Sequence, residues 1–148
     1  MSPTTKLLTA RVILTVIAVL TIVSPFLADW NVTHIYNPQW PPHAKFHNAQ
    51  TMAMAVLLGL ATVLFAWRRV EGSGSALLAS WIFAALYWVS QTVAFLFPGV
   101  AWTDPNMLQA GHTLDEFPLQ LKGDVVLFAV MAAVAWLLIT ATRERRSR

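Results

Sequence analysis

The sequence contains no cysteine. Disulfides, thiolate metal sites and thiol–disulfide exchange are therefore excluded. Charge is also scarce. Asp, Glu, Lys and Arg make up 11% of the 148 residues, against about 25% in an average soluble domain. A chain so poor in charge is not an ordinary soluble enzyme, a disordered tail or a nucleic-acid-binding module. What fills the composition instead is apolar, with 57% hydrophobic residues. The net charge of +3 has a better explanation than nucleic acid in where the basic residues lie, and no nucleic-acid partner is expected.

Four apolar runs stand out: Val12 to Ala28, Thr51 to Trp67, Ala76 to Phe97 and Val125 to Thr142. Each approaches the roughly 20 residues that cross a hydrocarbon core of about 30 Å. Backbone groups in lipid must satisfy one another, so the runs read as helices. The predicted fold class is all-α, an integral membrane four-helix bundle made of two hairpins. One domain covers 1–148, with helices over about 8–28, 42–67, 76–97 and 118–142 and polar outer loops over 29–41 and 98–117. The first run is not read as a signal peptide. Phe26 would stand three residues before a cut after Ala28, which fits the small-x-small rule poorly.

Lys6, Arg11, Arg68, Arg69, Arg143, Arg145, Arg146 and Arg148 fall on one side of this layout, and Lys45 and Lys122 on the other. That bias predicts both termini in the cytoplasm, and the expected location is a bacterial inner (plasma) membrane. The basic C-terminal tail is then a topology signal and a contact for anionic lipids. Trp30, Trp40 and Trp102 fall at outer helix ends, where aromatic belts form.

All four histidines, His34, His43, His47 and His112, lie on the outward side, together with Asp29, Asp104, Asp115, Glu116 and Asp124. This one-sided gathering of titratable groups marks the candidate site. Pro is tolerated in a first helical turn, so the second helix is predicted to begin near Pro41 or Pro42. From Pro42 to Trp67 is about 39 Å at about 1.5 Å per residue, longer than the hydrocarbon core. The first turns must protrude or line a polar cavity. His43 and His47 stand four apart on one face that continues to Gln50. Asp115 and Glu116 precede Pro118 as acids near a positive helix end. Tyr87 and Gln91 share a stripe with Ser80 on the third helix. A buried amide in lipid faces the bundle.

The segment Asn37-Pro38-Gln39-Trp40-Pro41-Pro42-His43-Ala44-Lys45-Phe46-His47-Asn48-Ala49-Gln50 resembles a box found in small bacterial and fungal four-helix membrane proteins of unknown function. The resemblance covers that box and the four-helix layout. It implies the architecture, singles out Trp40, His43, Phe46, His47 and Gln50, and implies no reaction. Sterol isomerases and the sigma-2 receptor group are similar in architecture alone. Quinone-linked disulfide-forming bundles are excluded by the missing cysteine. Small multidrug antiporters usually carry an acid in the first helix, and Val12 to Ala28 contains none.

Three functional readings compete. The first is a cofactor-free enzyme acting on a lipophilic small molecule by general acid–base chemistry: a hydrolase, cyclase or isomerase. Its candidate reactions are epoxide opening, cyclisation and double-bond isomerisation. A histidine near a helix N-terminus is favoured neutral and can serve as a base. A carboxyl facing an apolar wall is favoured protonated and can serve as an acid. The candidate catalytic residues are His43, His47, Asp29 and Glu116. Gln50, Tyr87, Gln91, Trp40, Phe46 and His112 would bind substrate. The second reading is a metal held by His43 and His47, for which no third ligand stands at a fixed spacing. No metal is expected under the favoured reading. The third is a non-enzymatic scaffold, accessory subunit or lipid-binding module. Ala55 and Gly59 form a small-x-x-x-small pair that suits either packing within the chain or a homodimer.

Overall fold

The computed structural model describes residues 1–68, 73–108, 111, 113 and 116–146. Four helices account for most of them: α1 (Pro3–Asp29), α2 (Pro42–Trp67), α3 (Ser73–Ala94) and α4 (Leu119–Arg146). A 3₁₀ turn at Pro105–Met107 lies between α3 and α4. Each of the four helices is long and apolar enough to cross a membrane. Their outer surfaces carry exposed Leu, Val, Ile and Phe along the whole length, Val12, Val16, Leu57, Leu64, Leu86 and Val126 among them. In water such a continuous apolar surface would drive association. Against lipid tails it costs nothing, and the pattern is that of a membrane protein.

Local signals set the helix ends. Ser2 caps α1, its hydroxyl accepting from Thr5 N at 3.2 Å, and Pro3 opens the first turn. Pro42 opens α2, and the Pro41 carbonyl accepts from Ala44 N and Lys45 N. α3 ends at Ala94, short of the end of the apolar run at Phe97. Pro98 disfavours helical backbone at the residue before it. The chain leaves through i→i+3 bonds at Phe95, Leu96 and Phe97 and turns at Gly99, whose φ of 79° suits glycine.

α1 is the hub. It touches α2, α3 and α4, and α3 likewise touches the other three, while α2 and α4 stand on opposite sides and do not meet among the described residues. α2 also packs on α3, and α4 on α3 and α1, so the two hairpins close into a ring. The core runs down the inner faces through Ala10, Leu14, Ile17, Leu77, Ala84, Met131, Val134 and Ala141. Small residues let the backbones approach. Ala55 and Gly59 are both buried, and Gly59 lies directly against Ile22 and Ala18 of α1. That small-residue pair is therefore used inside the chain, on the α1–α2 seam, and offers no face for a homodimer.

Tryptophan indoles tie the helices together. Trp67 Nε1 donates to Thr15 Oγ1, Trp88 Nε1 to Thr21 Oγ1 and Trp81 Nε1 to the Met131 carbonyl, each at 2.9 Å. Ser80 Oγ donates to the Thr62 carbonyl at 2.8 Å. At one end of the bundle Lys6 forms an ion pair with Glu144, which joins the start of α1 to the end of α4. The other end carries the two long loops.

Candidate functional site

The loop between α1 and α2 folds back on itself. Asn31 Oδ1 accepts from Thr33 N at 2.8 Å, and Asn37 Oδ1 accepts from Gln39 N at 2.9 Å. Such side-chain turns are what Asn supplies where the backbone needs a local acceptor. Asn37 is buried and also donates to the Thr33 carbonyl. This fold presents Trp40 to the second loop, where its Nε1 donates to Asp104 Oδ2 at 3.0 Å. The two loops thus form a cap.

Under the cap lies a cavity of about 620 Å³, within the usual range for a small-molecule site. Trp40, Trp102 and Phe117 give it aromatic walls, and His34, Asp104, Glu116 and Lys122 give it titratable ones. His34 packs edge-on to Trp40, with ring centroids 5.0 Å apart. Its Nε2 faces Asp29 Oδ1 at 3.7 Å, and its Nδ1 lies 2.7 Å from Thr33 Oγ1. The same hydroxyl stands 2.6 Å from Asn31 Oδ1. Thr33 has one proton for two acceptors, so the tautomer of His34 is tied to the hydrogen bonding of the turn.

Behind the cap a polar cluster reaches into the bundle. Asn48 Nδ2 donates to Asp29 Oδ2 at 2.7 Å. Asn48 Oδ1 is a buried acceptor with no partner among the described residues. Asp124, 1% exposed, accepts from Gln91 Nε2 at 3.1 Å and from Thr92 Oγ1 at 2.6 Å. Tyr87 stands within electrostatic reach of both Asp29 and Asp124. A buried carboxylate is tolerable because its oxygens are hydrogen-bonded.

The candidate residues therefore divide into three groups. Trp40 and Glu116 line the cap cavity, and Glu116 Oε1 also accepts from Thr113 N at 3.0 Å. Asp29, Tyr87 and Gln91 gather on the polar cluster behind it. His43, Phe46, His47 and Gln50 form a third group on the outer face of α2, all exposed, and do not line the cavity. There His47 Nε2 lies 3.0 Å from His43 Nε2, and His47 Nδ1 lies 3.3 Å from Gln50 Oε1. His43 stacks on Phe46 with centroids 6.2 Å apart. Among the described residues, no group of three His, Asp or Glu side chains is placed to hold a metal. His112 and Asp115 lie outside the described residues.

Two side chains gain a prominence that the sequence did not give them. His34 reads there as a loop histidine, and its neighbour Asp29 was the stronger candidate. Asp124 reads as a polar residue in a first helical turn. Its one signal is that it directly abuts the last apolar run, so an acid must enter the span.

A model described as a family of unknown function, DUF6640, matches residues 13–146 and reaches into all four helices. The chain belongs to that family. No curated protein and no solved structure matches it. Membership of DUF6640 carries no reaction with it.

Proposed function

We propose that this protein is a membrane-embedded enzyme that binds a lipophilic small molecule in the cap cavity and moves a proton there by general acid–base chemistry. The observation that supports this most is the placing of His34 on the cavity wall with Asp29 behind its ring. Asp29 Oδ1 lies 3.7 Å from His34 Nε2 and Thr33 Oγ1 holds His34 Nδ1 at 2.7 Å, so the imidazole meets a ligand by exchanging one of these neighbours for it. His34 carries the proton, and Glu116 on the same cavity supplies the second titratable group. An acid and a base acting on one ligand must both come within hydrogen-bonding reach of it, and His34 and Glu116 line one cavity. Trp40, Trp102 and Phe117 hold the apolar body of the ligand. Their ring faces also stabilise a developing cation. Epoxide opening, cyclisation and double-bond isomerisation fit this set, since each moves protons without moving electrons to a cofactor. Gln91 supports the site from the interior through its hydrogen bond to Asp124, and Tyr87 packs beside it on the same helix.

The same reading places the cap outside and the basic end, with both termini, in the cytoplasm, in a bacterial inner membrane. Its support is the one-sided distribution of Lys and Arg. The Asn37-to-Gln50 box is the family's signature in this reading, because Asn37 and Trp40 build the cap.

The test is turnover in nanodiscs of a panel of hydrophobic epoxides and polyprenyl compounds, followed by mass spectrometry. His34→Gln should lower product formation about 10²- to 10⁴-fold, the usual contribution of a general acid or base, with an unchanged melting temperature. Glu116→Gln should do the same, and His43→Ala should leave turnover within about twofold. Equal turnover by His34→Gln and the natural protein removes the role.

A second reading has one observation in its favour. His43, Phe46, His47 and Gln50 face outward, as a docking surface would. A non-enzymatic accessory subunit would then co-purify with a stoichiometric partner, lose it on Phe46→Ala, and turn over none of the panel.

A further inference from the structure

At the end of the bundle opposite the cap, a groove of about 700 Å³ runs between α3 and α4. Leu78 and Trp81 form one wall, and Leu138 and Ile139 the other. Arg143 and Arg145 stand at its mouth. From Arg143 to Ala135, which also lines the groove, is about 12 Å along α4 at about 1.5 Å per residue. The groove therefore starts among cations and continues well into apolar surroundings.

The two arginines differ from the other described cations at this end. Lys6 is paired with Glu144 and lies over the Trp136 ring. Arg11 lies over Trp67 and Arg68 over Phe65. Arg143 and Arg145 are exposed and have no side-chain partner among the described residues. A guanidinium is suited to bind phosphate oxygens in pairs. An apolar slot leading inward from two unpaired guanidinium groups is complementary to an amphiphile with an anionic head and a hydrocarbon tail.

We propose that the α3–α4 groove is a binding site for one anionic phospholipid, its phosphate held by Arg143 and Arg145 and an acyl chain lying along Leu78, Trp81, Leu138 and Ile139. The site is separate from the cap cavity and does not depend on what happens there. It exists in whichever leaflet the basic end occupies. Basic pockets between membrane helices are known to select such headgroups.

The experiment is native mass spectrometry of the full chain released from nanodiscs containing equal amounts of phosphatidylglycerol and phosphatidylcholine. One phosphatidylglycerol should stay bound per chain. Arg143→Gln/Arg145→Gln removes two cations worth about 1 kcal/mol each near an anionic headgroup, so retention should weaken roughly thirtyfold. Gly74→Trp tests the apolar part. Gly74 lines the groove, and a Cβ added there meets nothing within 4 Å, so the position accepts a side chain and an indole competes with the lipid tail for the groove; an unchanged melting temperature verifies the fold. The indole should displace the lipid while leaving both arginines in place. Inorganic phosphate at millimolar concentration should not compete, because it lacks the tail. Equal retention of the two lipids, full retention by the double arginine variant, or full retention by Gly74→Trp would each overturn the proposal. So would displacement by phosphate alone.

Discussion

Replacing Gly59 with alanine puts the α1–α2 contact to a quantitative test. An added Cβ would collide with Ile22 Cγ1 and would lie 2.8 Å from Ile22 Cδ1 and 2.9 Å from the Ala18 carbonyl oxygen. Ile22 can turn part of the way aside. The carbonyl belongs to the backbone of α1 and moves only with the helix. Overpacking of this kind costs about 1–3 kcal/mol, and a backbone contact puts the cost in the upper part of that range. Alanine regains about 1 kcal/mol of helix propensity over glycine. The net loss is about 1–2 kcal/mol. Thermal unfolding in detergent micelles should show it as a fall of roughly 5 °C in Tm. Gly123→Ala is the internal control. Gly123 lies in α4, and a Cβ there meets nothing within 4 Å, so the same substitution should be neutral or slightly stabilising. Ile22→Ala/Gly59→Ala completes a cycle. Removing the Ile22 side chain relieves two of the three conflicts, and the double variant should be more stable than the summed single effects by about 1 kcal/mol. A Gly59→Ala protein as stable as the natural one, or a cycle with no coupling, would refute the close α1–α2 approach.

Three further outcomes follow from the contacts. Asp124→Ala leaves the Gln91 amide and the Thr92 hydroxyl without their acceptor; at about 1–3 kcal/mol per stranded group it should cost about 2–6 kcal/mol by thermal unfolding, and Asp124→Asn, which keeps an acceptor, distinctly less. Trp88→Phe and Thr21→Val each break the same 2.9 Å bond and should each cost about 1 kcal/mol, while the double variant should cost little more than either one, since both partners are then apolar. Single cysteines can be introduced into a chain that has none. Val100→Cys should react with a membrane-impermeant maleimide on intact cells, and Arg145→Cys only after permeabilisation; the reverse pattern would invert the proposed orientation.

The helices were legible because lipid leaves the backbone no alternative. Long apolar runs announce themselves, and proline at positions 3, 42 and 98 punctuates them. The one-sided gathering of titratable groups was equally plain. Its internal arrangement was not. Spacing alone places His43 and His47 together on α2, and their Nε2 atoms do meet at 3.0 Å. Spacing does not say which way that face turns once α1 and α3 have packed on the opposite side. His34 depends on how the loop from α1 to α2 folds back, which is decided by Asn31 and Asn37 acting through short-range hydrogen bonds. Asp124 depends on the rotation of α4 against α3. The indoles of Trp67, Trp81 and Trp88 look like ordinary apolar bulk in a sequence. Their single N–H groups find acceptors only after neighbouring helices are in place.

The ion pair between Lys6 and Glu144, together with the contact of α4 on α1, makes the order of helices around the bundle cyclic. A ring has no preferred starting point. A short linker from the end of α4 to the start of α1, with the chain opened between α2 and α3, would give the order α3, α4, α1, α2 with every neighbour unchanged. Connectivity governs when the cap loops form. The loop carrying His34 and Trp40 is complete as soon as α2 is made, whereas Asp104 and Glu116 arrive only with the second half of the chain. In the natural order the histidine side of the cavity precedes Asp104 and Glu116 in the chain, and the Trp40–Asp104 hydrogen bond joins the two loops across it.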